Sequence, residues 1–270
     1  MIVQYARMNP TGNMTAIVTS PVPRADQPRV AARLMERGCD FAEQVGFLER
    51  SALPGARIRL QMMGGEFCGN ASMSVAALLA LEDGLAEGAE AVCPLEVSGA
   101  EERVDCRIRR EGDSFIGTVN MPLPEEIVEA ELLSGLRAPL VRFPGIVHAV
   151  VPEACMTPEA AQARIPALCE MLKADAMGIL LTDAKLTRMR PLVYVRATQS
   201  AVWERGCGSG TAALGAYAAA RSGRDAALSV TQSGGTIRVR AAWREGAVRG
   251  LEISGRVRLE ERGAAALPEC

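Results

Sequence analysis

A single histidine, His148, stands among the 270 residues. One imidazole excludes a polyhistidine metal site. Aromatic residues make up only 4% of the chain. Neither sign of charge dominates: 32 Asp and Glu face 30 Lys and Arg, for a net charge of −2. A chain without a basic excess or aromatic platforms is not built as a nucleic-acid binder. No apolar run reaches the roughly 18 residues that a membrane span needs. The segment Met1 to Pro10 has no apolar signal core, so the expected location is the cytoplasm. None of the eight cysteines lies in a CxxC or CxxxC pair, which argues against a zinc knuckle. They are also too sparse for a disulfide scaffold. Cys39, Cys93, Cys106, Cys155, Cys169 and Cys270 read as core or surface thiols, and the twelve methionines as flexible core filler. GxxxxGK[ST] and GxGxxG are both missing, so a phosphate-binding loop is disfavoured.

Short apolar runs separated by polar punctuation are plentiful. Val3 to Arg7, Met14 to Thr19, Val45 to Glu49, Ile58 to Met62, Val92 to Val97, Val104 to Ile108 and Ser114 to Val119 read as strands. Gln27 to Arg37 has helical spacing at Val30, Ala31, Leu34 and Met35. Asn70 to Leu81 is a second helix, rich in Ala, Leu and Met. Pro122 to Glu126 breaks the pattern and places a domain boundary. Beyond it, strands are expected at Leu140 to Phe143, Val147 to Val151, Gly178 to Thr182, Leu192 to Thr198, Ala201 to Trp203, Leu228 to Val230, Thr236 to Ala242 and Val248 to Leu259. A helix over Glu159 to Ala174 should be interrupted near Pro166, and Ser209 to Ala220 is an Ala-rich helix. The tail after Gly263 has no periodicity and reads as mobile. The class is α/β.

Each half carries a Cys-Gly element at the start of a small-residue helix: Cys68-Gly69-Asn70-Ala71-Ser72 and Cys207-Gly208-Ser209-Gly210-Thr211. Asn70 or Ser72 can cap the first helix, and Ser209 or Thr211 the second. Outward-pointing first-turn amides and the helix dipole make an anion site. A thiol at its edge ionises more easily than a free one. Two such elements suit a bound carboxylate with one thiol on each face of the α-carbon. One thiolate would then remove the α-proton and the other thiol deliver one. The amides would stabilise the charge that develops on the carboxylate. A Cys-Gly pair at a helix start is also a common packed turn, and from spacing alone both readings stand. His148, among strand formers, reads equally as a buried, hydrogen-bonded core histidine.

Asn9 to Thr15 (NPTGNMT), Glu43 to Glu49 (EQVGFLE), Glu66 to Ala71 (EFCGNA) and Trp203 to Thr211 (WERGCGSGT) occur in order along nearly the whole chain. Together they resemble the cofactor-independent amino-acid racemases and epimerases of the diaminopimelate epimerase fold. That resemblance implies two similar α/β domains, each a curved mixed sheet around a central helix. The first would span 1–121, completed by a returning strand over 251–262, and the second 122–250, with the site in the cleft between them. It implies Cys68 and Cys207 as the acid–base pair. His148 and Glu204 would hold the α-amino group, and Asn13 would order the first cysteine and the substrate. Gly69, Asn70, Gly208 and Ser209 would hold the carboxylate through their amides. No cofactor and no metal are implied. The partner is a small-molecule amino-acid substrate, with no nucleic acid and no membrane, and a homodimer is left open.

Diaminopimelate itself is disfavoured. Gln61 or Met62 replaces an asparagine of the distal pocket, Ile146 replaces another, and Pro191 to Val195 carries none. Of the distal set Arg205 alone persists. NPTGNMT with EQVGF is similar to the histidine racemases that feed opine-type metallophore synthesis. An imidazole would suit a less charged pocket lined by Gln61, Met62, Gln44 and Tyr194. The rival readings are another amino acid, a phenazine-type isomerase of related fold, and a non-catalytic amino-acid binding protein.

Overall fold

The computed structural model describes residues 1–36, 42–133 and 135–266. Its contacts divide the chain into two units, Met1–Asn120 with Ser254–Cys270, and Met121–Ile253.

The first unit runs β1 (Ile2–Pro10), β2 (Thr15–Val18), α1 (Gln27–Met35), β3 (Gln44–Glu49), β4 (Ile58–Met62), α2 (Gly69–Glu82), β5 (Glu90–Val97), β6 (Val104–Glu111) and β7 (Ser114–Asn120). The long β16 (Ala247–Ala266) returns to it from Ser254 onward. Strand order is β1-β2-β3-β4-β5-β6-β7-β16, and β16 also pairs with β1, so the order closes on itself. Most neighbours are antiparallel. The pairs joined through a helix, β2–β3 across α1 and β4–β5 across α2, are parallel, as such crossovers require. The helix α2 touches β1, β2, β5, β6 and β7. Every residue from Gly69 to Ala80 is buried. A helix enclosed on all sides needs no polar face, which is why its sequence shows none.

The second unit holds a sheet in the order β13-β12-β11-β10-β9-β8. Its strands are β8 (Glu126–Leu133), β9 (Leu136–Phe143), β10 (Ile146–Pro152), β11 (Ala176–Thr182), β12 (Met189–Val195) and β13 (Ser200–Trp203). α3 (Pro158–Met171) is the crossover between β10 and β11, which pair in parallel. α4 (Gly208–Ser222) leads into the hairpin of β14 (Ala226–Gln232) and β15 (Gly235–Arg244). One face of the six-stranded sheet packs α3: Val147, Ala149, Val151, Ile179, Leu181, Leu192 and Tyr194 share a core with Ala161, Ile165 and Leu168. The other face carries His148, because neighbouring side chains alternate along a strand.

Several expectations change. α3 runs unbroken through Pro166. The proline is exposed, so the Gln162 carbonyl whose amide partner it removes can turn to water. β8 escapes the periodicity reading because it is an edge strand carrying Glu126, Glu129 and Glu131. The tail is strand as far as Ala266, paired with Ile2. Cys39, Cys270, the end of the expected first helix at Arg37 and the last four residues of the tail lie outside the described residues. Cys93, Cys106 and Cys169 are buried and Cys155 is exposed.

Candidate functional site

Both Cys-Gly elements fold in the same way. The cysteine, not the hydroxyl or amide residue behind it, is the N-cap. Cys68 has φ −134° and ψ 108°, and its sulfur accepts the Ala71 amide at 3.4 Å. Cys207 has φ −102° and ψ 110°, and its sulfur accepts the Gly210 amide at 3.3 Å. Asn70 and Ser209 already lie inside the first turn and cannot take the extended cap conformation. Ser72 and Thr211 instead donate back to the carbonyls of Cys68 and Cys207, at 2.8 and 2.7 Å. Each sulfur therefore sits at the positive end of a helix, and the amides of Gly69, Asn70, Gly208 and Ser209 belong to first turns with no intrahelical acceptor.

In the first unit, Cys68 is half-buried and its thiol donates to Oε1 of Gln44 at 3.3 Å. The other end of that amide donates to Asn13 Oδ1 at 2.6 Å and Thr15 Oγ1 at 2.8 Å. Asn13 in turn donates to Glu43 at 2.8 Å. The turn before Asn13 is held by Asn9, whose Oδ1 accepts the Gly12 amide at 2.7 Å. Gln44 is thus a partner of the sulfur, where a pocket-lining role was expected. Ser98 is a residue the sequence did not single out. It is 3% exposed, its hydroxyl accepts the Met62 amide at 2.9 Å, and it donates to the Glu66 carbonyl at 2.9 Å. That pair of bonds fixes the loop leading to Cys68 against β4.

In the second unit, Cys207 is 3% exposed. Burial raises its thiol well above the ordinary range, and the adjacent Glu204 carboxylate, to which it is hydrogen-bonded, raises it further. The Ser209 hydroxyl and the Gly210 amide pull the other way. Burial likewise raises the Glu204 carboxyl, opposed by its bond to Cys207. His148 is fully buried, with Nε2 3.0 Å from Ser209 Oγ. Burial pushes its imidazole down to about 3, so it is neutral at pH 7. Gln232, on β14 and 6% exposed, accepts the Cys207 amide at 2.7 Å and donates to Thr211 Oγ1 at 3.0 Å. Nothing in the sequence links this glutamine to a cysteine 25 positions earlier. Arg205 is exposed, and its carbonyl accepts the Gly234 amide at 2.7 Å.

One of the expected pocket residues belongs elsewhere. Tyr194 points into the α3 core, on the face opposite His148, because β12 alternates and its neighbour Val193 is the residue in line with Gly178 and His148. Met62 has no exposed surface. Gln61 is buried too, its amide donating to the Met62 carbonyl at 3.0 Å and accepting from Arg59 at 3.0 Å. Among the described residues, no cluster of three or more His, Cys, Asp or Glu side chains could hold a metal ion.

Comparison with known proteins bears on family and fold. The family model of the histidine racemase CntK N-terminal domain matches residues 2–266. A histidine racemase of Fusobacterium nucleatum is 31% identical over 227 residues, covering 80% of this chain and 81% of the relative. A histidine racemase of Staphylococcus aureus is 32% identical over 228 residues, covering 80% of each. In fold, the chain is similar to a predicted epimerase from Pseudomonas aeruginosa, with TM-score 0.72 and 18% identity over 98% of this chain and all of the other. A family model that spans nearly the whole chain, together with relatives above 30% identity over four fifths of it, establishes membership: the chain belongs to the histidine racemase family and is an amino-acid racemase of the diaminopimelate epimerase type of fold.

Proposed function

We propose that the protein interconverts L- and D-histidine with Cys68 and Cys207 as a two-thiol acid–base pair and without a cofactor. One observation carries this reading: two helices, one in each unit, begin with a cysteine N-cap whose sulfur meets the amide three residues on. A thiolate at such a place is stabilised by the dipole and the amide. In the proposed reaction one thiolate takes the α-proton of the bound amino acid. The other thiol gives its proton to the opposite face of the same carbon, so proton count and charge balance across the step. The first-turn amides of Gly69, Asn70, Gly208 and Ser209 receive the carboxylate and stabilise the negative charge that grows on it. Asn13 and Gln44 hold Cys68, and Glu204 and His148 stand on the side of Cys207. Histidine as substrate rests on the names of the relatives and on the loss of the asparagine-rich distal set.

The test is proton NMR in heavy water with reduced protein, offering L-histidine, D-histidine, L-proline, neutral amino acids and meso-diaminopimelate. The expected result is loss of the histidine Cα–H signal with optical inversion, absent in Cys68→Ala and in Cys207→Ala. Exchange with another amino acid alone would discard histidine. Optical inversion that survives in either variant would discard the two-thiol mechanism.

A further inference from the structure

His148 makes one hydrogen bond, through Nε2 to Ser209 Oγ at 3.0 Å. Among the described residues its other nitrogen, Nδ1, is buried without a partner. It lies over Gly178, the residue beside it on β11: a Cβ at that glycine would fall well inside van der Waals contact with Nδ1 and 2.7 Å from Cε1. Gly178 is therefore the seat of the imidazole, and no side chain of any size fits there with the ring in place.

The orphan nitrogen decides the tautomer. A buried N–H without an acceptor is rarer in proteins than an under-satisfied acceptor. The ring proton accordingly belongs on Nε2, where Ser209 can accept it, and Nδ1 is the bare nitrogen. Ser209 Oγ then receives its hydrogen bond from His148, and its own proton is left for another acceptor. The sulfur of Cys207 lies 3.5 Å away. We propose that His148, Ser209 and Cys207 form a one-way hydrogen-bond chain, seated on Gly178, that aims the Ser209 hydroxyl proton at the Cys207 sulfur and so favours its thiolate. Ser209 and Gly178 are positioning residues in this scheme; the acid–base group is the sulfur.

The other groups facing this sulfur make the need for such a donor clear. Glu204 adjoins it and opposes ionisation. β14 offers Gln232, which is neutral and already engaged with the Cys207 amide. Leu180 of β11 and Met189 of β12, both apolar, close around Gly210 next to the sulfur. The arginines of β9, Arg137 and Arg142, are held on β8 by the Glu129 carbonyl and by Glu126. β15 meets α4 further along, through Val239 at Gly215. Donors to the thiolate come from Gly210 N and, by this chain, Ser209 Oγ.

The inference deepens the reading of Cys207 as an acid–base group, so its test has one arm independent of turnover. Rates of iodoacetamide alkylation at Cys207, followed by peptide mass spectrometry against pH, report the thiolate in wild type, Ser209→Ala, Ser209→Thr and Gly178→Ala, with folding checked by circular dichroism. Losing one hydrogen bond to a charged acceptor moves the alkylation midpoint up by about one pH unit, about tenfold less thiolate at a fixed lower pH. Ser209→Ala and Gly178→Ala should both show it, and Ser209→Thr, which keeps the hydroxyl, should not. The acidic limb of kcat/KM for histidine should move the same way. Equal midpoints in wild type, Ser209→Ala and Gly178→Ala would overturn the chain. A shifted midpoint in a protein that exchanges no α-proton would support the chain and overturn only the proposed function.

Discussion

Acid should destabilise this protein through its one histidine. In the folded state His148 protonates only near 3, against an ordinary value of 6.5. Between those values the unfolded chain binds the proton and the folded chain does not. Unfolding therefore becomes easier as pH falls below 6.5, and the stability that the neutral ring confers is complete only above that value. Each pH unit below 6.5 costs about 1.4 kcal/mol, so about 2 kcal/mol is lost by pH 5. That is a sizeable part of the 5–15 kcal/mol or so typical of folded domains. Urea unfolding at pH 7.5, 6.5, 5.5 and 5.0 should show the loss, and His148→Gln should flatten it across the same window. The single imidazole also gives one set of ring resonances. By NMR its Cε1–H signal should keep the neutral-form shift down to pH 5. A midpoint near 6.5, or parallel pH profiles for wild type and His148→Gln, would refute the argument from burial.

Removing the Ser98 hydroxyl in Ser98→Ala strips the buried Met62 amide of its partner and the part-buried Glu66 carbonyl of one donor; denaturant unfolding should find about 1–3 kcal/mol lost, and kcat should fall more than KM rises as the Cys68 loop loosens. Gly215→Ala drives a methyl into Val239, which α4 packs directly against; overpacking of this kind costs about 1–3 kcal/mol, read as a lowered Tm. Glu96, bonded to Ser51 first and also to Ala52, Leu53 and Arg59, is held down to about 2. A depressed carboxyl stabilises the fold above its unfolded pKa and loses that contribution as pH falls towards 2. Glu96→Gln should thus remove about 1–2 kcal/mol at pH 7, after allowance for its partial exposure to solvent, and nothing at pH 2; acid titrations of the two proteins should converge.

Helix starts and strand runs were legible because they depend on neighbours in sequence. The Cys-Gly-small patterns at 68 and 207 announced α2 and α4, and the apolar runs announced most strands. The tail escapes sequence reading because 264–266 have no pattern of their own and are strand only through pairing with β1. The side Tyr194 faces is not legible, because the alternation of β12 does not say which face meets α3.

The amino-acid order by itself determined the family motifs, the α/β class and the two cysteines poised at helix starts, since each follows from residues within a turn or a strand of one another. The tertiary structure decided what touches each sulfur. Gln44 reaches Cys68 across 24 residues, Gln232 reaches Cys207 across 25, and His148 reaches Ser209 across 61. A hydrogen bond tolerates only a few tenths of an ångström, and at such separations that distance is fixed by sheet register and by the room a glycine leaves, neither of which a local pattern contains.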